Sequence, residues 1–351
     1  MQANEPSILY ALQTENHHYK NLINLALQLF TMTIAFIIIG LFAHLSTLMS
    51  LLFLKKWWVR IFDFPRLQII VIQIISLAGI LFFAKEMNWF NISVIILVFV
   101  SLLIQTVYVY PYFIFAPKEV PDGKGDPVAS FSFLVSNVLI SNRKSNKLIE
   151  LVKAYQPDIF LAVETDAWWA QQLEPLDDLF EFSVKQPLEN SYGMLLFSRI
   201  PLENARIEYI IKQDIPSIHA EITKAGRTIK IACIHPEPPA PEEADTSRPR
   251  DKEIVTMARR IKDDPAPFAV LGDLNDVAWS DTSNHFLKIS GLKDPRKGRG
   301  FFNTFHAKIP FMRFALDHVF VSTDFKLIKI KRLPSVHSDH FPLYINCGIF
   351  K

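Results

Sequence analysis

Residues 21–54 contain no Asp, Glu, Lys or Arg. A run of 34 such residues has no polar face to offer water, so a chain that holds it is not a soluble globule from end to end. Two more apolar runs follow, Leu67–Ala84 between Arg66 and Lys85, and about Trp89–Tyr110. A helix needs ~20 apolar residues to cross a ~30 Å hydrocarbon core. The second and third runs fit one crossing each. The first would be ~51 Å long as a helix, too long for one upright span and barely enough for two. His44 near its middle is where a turn would fall. No small-residue cleavage site follows this run and two more come after it, which excludes a cleaved signal peptide. Trp57, Trp58, Trp89, Tyr108, Tyr110 and Tyr112 stand at the run ends as an interfacial aromatic belt would. Segment 57–66 (WWVRIFDFPR) reads as a stretch lying in the headgroup layer, broken by Pro65.

The expected organisation is a polar tail (1–20), a transmembrane region of about three helices (21–115; about 21–54, 67–84 and 89–110), a linker rich in proline and glycine (116–128), and a polar domain (129–351). We expect an integral membrane protein. Lys55, Lys56, Arg60 and Arg66 lie between the first two runs, against only Lys20 before them. The positive-inside rule puts that loop, and with two further crossings the C-terminal domain, in the cytoplasm; the opposite loop placement makes the domain periplasmic. With 50% hydrophobic and 21% charged residues, disorder is excluded for the bulk of the 351-residue chain. Cys233 and Cys347 are the only cysteines, so neither a disulfide framework nor a cysteine-rich zinc site carries the fold. Residues 129–351 hold 29 Lys and Arg against 28 Asp and Glu, which argues against a large sequence-blind nucleic-acid surface.

Within 129–351 the patterning predicts strands at 130–138 and 158–163 around a helix at 143–155. Four strand-like runs then follow at hairpin spacing (192–198, 205–211, 217–223, 227–234). A helix at 248–262 and strands at 267–271, 315–321, 326–331 and 341–348 complete the reading. Consecutive hairpins exclude a purely parallel doubly wound sheet. Two mixed sheets packed face to face with helices outside satisfy the pattern: an α/β, α+β four-layer sandwich behind an N-terminal helical region.

The polar residues of these strands gather at their ends. Glu164 ends one buried strand and His235 another. Asp273 and Asn275, two apart, end a third and face one way if extended. Asp317-His318 and Asp339-His340 are two acid–imidazole pairs, and Asn137 ends the first strand. Carboxylates and amides without thiolates suit a hard divalent cation, Mg²⁺ or Mn²⁺. A metal and imidazoles at one mouth suit attack of water on a phosphate ester.

The ordered set Asn137, Glu164, His235, GDLN (272–275), Asp317 and SDH (338–340) resembles the endonuclease/exonuclease/phosphatase superfamily, as do 192–202 (YGMLLFSRIPL) and 316–322 (LDHVFVS). The resemblance covers about 130–351, and the three-run front resembles its membrane-anchored bacterial members. It implies a β-sandwich flanked by helices with the site at one end. It also implies Glu164 as principal metal ligand with Asn137 and Asp339 beside the same ion. Asp273 is implied to handle the attacking water or the leaving group, and Asn275 to hold the phosphate. His340, oriented by Asp317, is implied to contact the phosphate or act as base, and His235 to contact the phosphate. Where some members carry an Asp two residues after the first Asn, this chain has Leu139, which leaves the ion count open; the inositol-phosphatase signatures are not visible.

These residues lead us to expect a membrane-anchored, Mg²⁺-dependent phosphodiesterase or nuclease. A phospholipid or sphingomyelin phosphodiesterase is the alternative, and a non-enzymatic membrane scaffold the competing class. The expected partners are a phosphodiester substrate (nucleic acid or lipid headgroup) and the bilayer, with no protein partner. Singly, each signal has a plainer reading: Asp273 and Asn275 as turn formers, His235 and His340 as packed imidazoles, Trp168 and Trp169 as helix packing, Arg248 and Arg250 as residues of a helix start. The basic cluster Lys288, Lys293, Arg296, Lys297 and Arg299 reads equally as an anion subsite or a solvated face.

Overall fold

A computed structural model describes residues 5–52, 54–241 and 243–350, the side chains of 5–9, 11–13, 15 and 16 aside. The first four residues of the expected tail lie outside the described residues; from Glu5 the chain is helical. The helices before the β-domain are α1 (Glu5–Leu51), the single turn α2 (Trp57–Arg60), α3 (Arg66–Phe83) and α4 (Trp89–Val109). Three stretches are long and apolar enough to cross a membrane: His17–Leu51, Arg66–Phe83 and Trp89–Tyr112. The long first run is one uninterrupted helix, with no turn at His44. By contacts the chain forms two units, Met1–Leu52 with Arg66–Val107, and Phe53–Pro65 with Tyr108–Lys351.

The first unit is tied by polar side chains among apolar helices. The Gln73 and Gln105 amides donate to Thr47 Oγ1 at 3.1 and 3.0 Å, and Arg66 donates to Gln105 Oε1 at 2.7 Å. His44 Nδ1 lies 2.6 Å from Ser101 Oγ. Close approach needs small residues: a Cβ on Gly79 would sit 2.2 Å from the Phe36 ring.

The second unit holds two mixed sheets. One runs β10-β11-β1-β2-β4-β3 and the other β5-β6-β7-β8-β9. The strands are β1 (Ala129–Asn137), β2 (Ile159–Val163), β3 (Phe182–Gln186), β4 (Met194–Ser198), β5 (Glu203–Glu208), β6 (Ser217–Lys224), β7 (Arg227–Ile234), β8 (Phe268–Asp273), β9 (Asp317–Val321), β10 (Phe325–Arg332) and β11 (Leu343–Ile349). Strands β1–β2 and β7–β8 are the parallel pairs, and the rest are antiparallel. The inward faces meet in one core, with Phe131, Phe133, Val135 and Leu161 from one sheet against Ile218, Ile229, Ile231 and Leu271 from the other. Helices α5 (Asn146–Tyr155) and α6 (Ala167–Gln172) cover the first sheet, α7 (Arg248–Lys262) and α8 (Asp281–Ser290) the second. The four layers match the architecture read from the hairpin spacing; β3 and α8 were not read from it.

Three of the five residues of the basic cluster 288–299 are taken up by acids. Arg296 is fully buried, pairs with Asp294 at 2.8 Å and donates to His318 Nδ1 at 2.6 Å. Lys297 and Arg299 pair with Glu119 and Asp122. His318 Nε2 in turn lies 2.9 Å from the Asp276 carbonyl, so the ring is neutral with its proton on Nε2. Burial and the Arg296 charge push its pKa from 6.5 down to about 3. The unfolded chain therefore takes up this proton first. Stability is intact above pH 6.5 and is lost as pH falls toward 3, at up to about 1.4 kcal/mol per pH unit. Melting temperature measured from pH 7 to 4 is expected to fall more steeply in the wild type than in His318→Gln.

Candidate active site

Both parallel pairs end at the same edge of the sandwich, and that sets the site. The hydrogen-bonded register opposes Asn137 to Val163, so Glu164 follows one residue beyond the end of β2 beside Asn137. In the facing sheet, β7 and β8 deliver His235 and Asp273, while antiparallel β9 begins with Asp317 opposite Asp273. The loop before β11 supplies Ser338, Asp339 and His340. Gly272 is required where β8 passes β7: its φ is +145°, and a Cβ would lie 1.9 Å from the Ile234 carbonyl oxygen. Leu139, Glu164, Asn275 and His337 all have left-handed φ of 50–71°. Such backbone costs of order 1–3 kcal/mol per residue and persists where surroundings over-determine it, as at functional sites.

The side chains form one network. The Asn137 amide donates to Glu164 Oε1 at 2.7 Å and Asp273 Oδ2 at 3.0 Å. The Ile140 N–H reaches Glu164 Oε2 at 3.3 Å. His340 Nδ1 is 2.7 Å from Asp317 Oδ2, and its Nε2 is 3.5 Å from Asp273 Oδ2. Ser338 Oγ donates to the Asn137 carbonyl at 2.8 Å and accepts from the His340 N–H at 3.0 Å, joining the SDH loop to β1. Asp339 stands close enough to act electrostatically on Glu164 and His340. Asn275 lies at the rim, its N–H on Asp273 Oδ1 and its amide on the Pro236 carbonyl, both at 2.9 Å. His235 is buried with its ring 5.7 Å from Tyr192 and its Nδ1 without a partner. All eight sequence-nominated residues thus sit at one edge. Ser338, the Ile140 N–H and Arg250, whose Nη1 donates to the Asn275 carbonyl at 2.7 Å, were not nominated.

Charge is distributed unevenly. Burial alone would depress His340, but Asp317 and Asp273 flank it and raise its pKa to about 10. Burial would raise Asp273, but the His340 charge and its hydrogen bonds hold it below the usual carboxylate range. At neutral pH the pair is therefore an imidazolium beside a carboxylate. Burial raises Asp317, and that of His235 is lowered by the same desolvation. At Glu164 desolvation dominates, raising its carboxyl to about 7 against the Asn137 hydrogen bond.

Two groups could be read as metal seats. Ligand atoms of Asp273, Asp317 and His340 lie within 4.8 Å of one another. The imidazolium among them already neutralises one of the two acids and repels a cation. Glu164 has no Lys or Arg partner among the described residues and faces Asp273 and Asp339. A carboxyl driven toward neutrality beside two more acids fits a hard divalent ion; Asn137 turns its NH2 toward these acids and its Oδ1 toward the Leu139 N–H, so it joins as a ligand only with its amide turned over. Of the two, the Glu164 group suits a metal better.

The sequence model of the Endonuclease/Exonuclease/phosphatase family matches residues 134–340, more than half of the chain. Among solved structures, D. rerio TDP2 complexed with a single-strand DNA product is 16% identical with a TM-score of 0.53, over 63% of this chain and 99% of that one. The human Nocturnin catalytic domain with bound sulfate is 18% identical (TM-score 0.51, 63% and 94% covered). An endonuclease/exonuclease/phosphatase from Bacteroides vulgatus is 14% identical (TM-score 0.51, 63% and 99%). At these identities the likeness is one of fold. No curated protein matches the sequence.

Proposed function

Because the chain belongs to the endonuclease/exonuclease/phosphatase family, we propose that it is a membrane-anchored, divalent-metal-dependent phosphodiesterase whose water attacks phosphorus in line. The observation that carries this reading is the Asp317–His340–Asp273 row beside Glu164 and Asn137. Asp273, kept ionised, takes the proton of the attacking water or holds it in line. His340 is protonated, so it serves as a donor to the phosphate oxygens and not as a base. Its charge meets the negative charge that grows in the pentacoordinate state. Asp317 fixes its ring through Nδ1. Asn275 and His235 hold the phosphate from the β7–β8 side. Glu164, with Asn137 and Asp339, would hold Mg²⁺ or Mn²⁺, which supplies neutralisation of the phosphate oxygens.

A nucleic-acid strand is the substrate the surroundings favour. Next to the site, Arg143, Lys144, Lys147, Asn146, Gln172 and His337 line an open trench of about 460 Å³. Arg143 is spent on Asp166, but Lys144 and Lys147 carry no salt bridge among the described residues. Desolvation and these ammonium groups, with Lys308, lower the pKa of His337, which marks an uncompensated positive field. Such a trench suits phosphates flanking the scissile one, and the TDP2 neighbour was solved with a DNA strand. The three membrane-length helices favour a lipid phosphodiesterase as the second reading.

The test is the full chain in detergent with Mg²⁺ or Mn²⁺. Bis-p-nitrophenyl phosphate turnover, absent in Glu164→Ala, is expected. Single-stranded DNA should be cleaved, and Lys144→Gln/Lys147→Gln should raise its KM and flatten the log–log salt slope by about one per lysine. Bis-p-nitrophenyl phosphate kinetics should not change. Preference for sphingomyelin vesicles over DNA would select the lipid reading, and no turnover of any of them the scaffold.

A further inference from the structure

Asn275 is held in the left-handed region, at φ +50°. Its side-chain amide gives one hydrogen to Pro236, which leaves the other for a phosphate oxygen, and its N–H is on Asp273, so its remaining backbone group, the carbonyl, decides how the residue is aimed. That carbonyl accepts from Arg250 Nη1 at 2.7 Å. Arg250 is 1% exposed, and its guanidinium also grips Asp251 Oδ1 through Nη2 at 3.0 Å. Asp251 is a hub. Its other oxygen takes Lys55 Nζ at 3.0 Å, and Ser247 Oγ donates to it at 2.9 Å. Ser247 is itself tied back, its N–H on the Lys55 carbonyl at 2.7 Å. Lys55 belongs to the segment between the first two apolar helices, about 80 residues before the family match begins.

We propose that Arg250 is a positioning residue for Asn275 and that Lys55, acting through Asp251, holds it in place, so that the segment between the first two apolar helices completes the site of a domain that starts far downstream. The proposal rests on the phosphodiesterase reading. It extends that reading to residues that touch neither substrate nor ion. The guanidinium has two carboxylate anchors, Asp276 Oδ1 at 3.4 Å from Nη1 and Asp251 Oδ1 on Nε and Nη2, and it sits where both hold it. With Lys55 replaced by an acid, Asp251 faces a like charge, the anchor shifts, and the Asn275 carbonyl loses its fixed donor. Displacing a phosphate-holding group by a fraction of an ångström is expensive even when the chemistry lies elsewhere.

The experiment uses the full chain, since Arg250→Ala leaves a cavity and unpaired acids and can fail for want of folding. Lys55 is partly exposed (39%), so its variants should fold. Lys55→Glu is expected to lower kcat/KM for bis-p-nitrophenyl phosphate about tenfold, with Lys55→Arg near wild type. The Mn²⁺ concentration giving half-maximal activity should not move, because the ion is held on the opposite sheet. In an Asn275→Ala background, Lys55→Glu should have no further effect, the non-additivity of residues acting through one another. Equal losses in both backgrounds, or no loss in either, would overturn the proposal. An inactive wild-type chain would instead remove the reading on which it stands.

Discussion

Asp273→Asn is expected to reduce kcat against bis-p-nitrophenyl phosphate by about a thousandfold, within the ~10²–10⁴ range of a lost general base. The amide keeps the shape of the carboxylate but has one oxygen for two donors, the Asn137 amide and the Asn275 N–H, so a fall in melting temperature should accompany the loss. His340→Gln should cost about 10²–10³, the range of a lost transition-state donor. The two losses should not add, because Asp273 is held ionised by the charge on His340, 3.5 Å away. Steady-state kinetics of the two single variants and the double variant check this. A kcat within tenfold of wild type in Asp273→Asn would remove the base from the mechanism.

The second large effect concerns truncation. A fragment beginning at Ala129 contains the family match, yet it is expected to melt without cooperativity or to aggregate. It would lack Tyr112, 1% exposed, whose hydroxyl donates to the Ala278 carbonyl at 2.7 Å. It would lack Val59 and Val120, both buried, and the Asp63 carbonyl that accepts from Trp279 Nε1 at 2.9 Å. The Gly298 N–H loses Pro111, and Arg299 loses the Val120 carbonyl. Each buried apolar side chain is worth about 1.5–3 kcal/mol and each orphaned polar group about 1–3 kcal/mol. Together they approach the ~5–15 kcal/mol that holds a whole domain folded. Residues 108–351 should be intermediate and the full chain most stable. Circular dichroism melts of the three set the order, and a fragment 129–351 that melts like the full chain would refute it.

The sequence exposed the site better than its supports. Asn137, Glu164, His235 and Asp273 were legible because an apolar strand that ends in a polar residue breaks its own pattern. The two parallel pairs then bring four such ends to one edge. Strand β3 escaped notice because it is a short edge strand in which Lys185 and Gln186 interrupt the alternation. Helix α8 is brief and polar at its start, where Ser280 caps it through the Ser283 N–H. Segment 57–66 was read as lying in headgroups, since its aromatic and basic residues suit an interface. In the fold, Arg60 and Asp63 are buried together at 2.5 Å, and residues 57–65 are part of the second unit while Arg66 opens α3 in the first. Arg250 looked like an ordinary helix start. Its role depends on partners 25 and 195 positions away, a separation to which no local periodicity responds. Leu139, where an acid was looked for, carries a left-handed φ and precedes the Ile140 N–H that meets Glu164.

Both cysteines lie in the sandwich core with no exposed surface, Cys233 on β7 and Cys347 on β11, and burial pushes both thiols up, Cys347 to about 12. Folded, the protein therefore presents no thiolate to an alkylating reagent or an oxidant. A maleimide too polar to cross lipid would label only a cysteine placed by mutation, at Lys20 or Lys124 for instance. The wild-type chain is already a silent background for mapping, in intact cells, which face of the bilayer each segment meets.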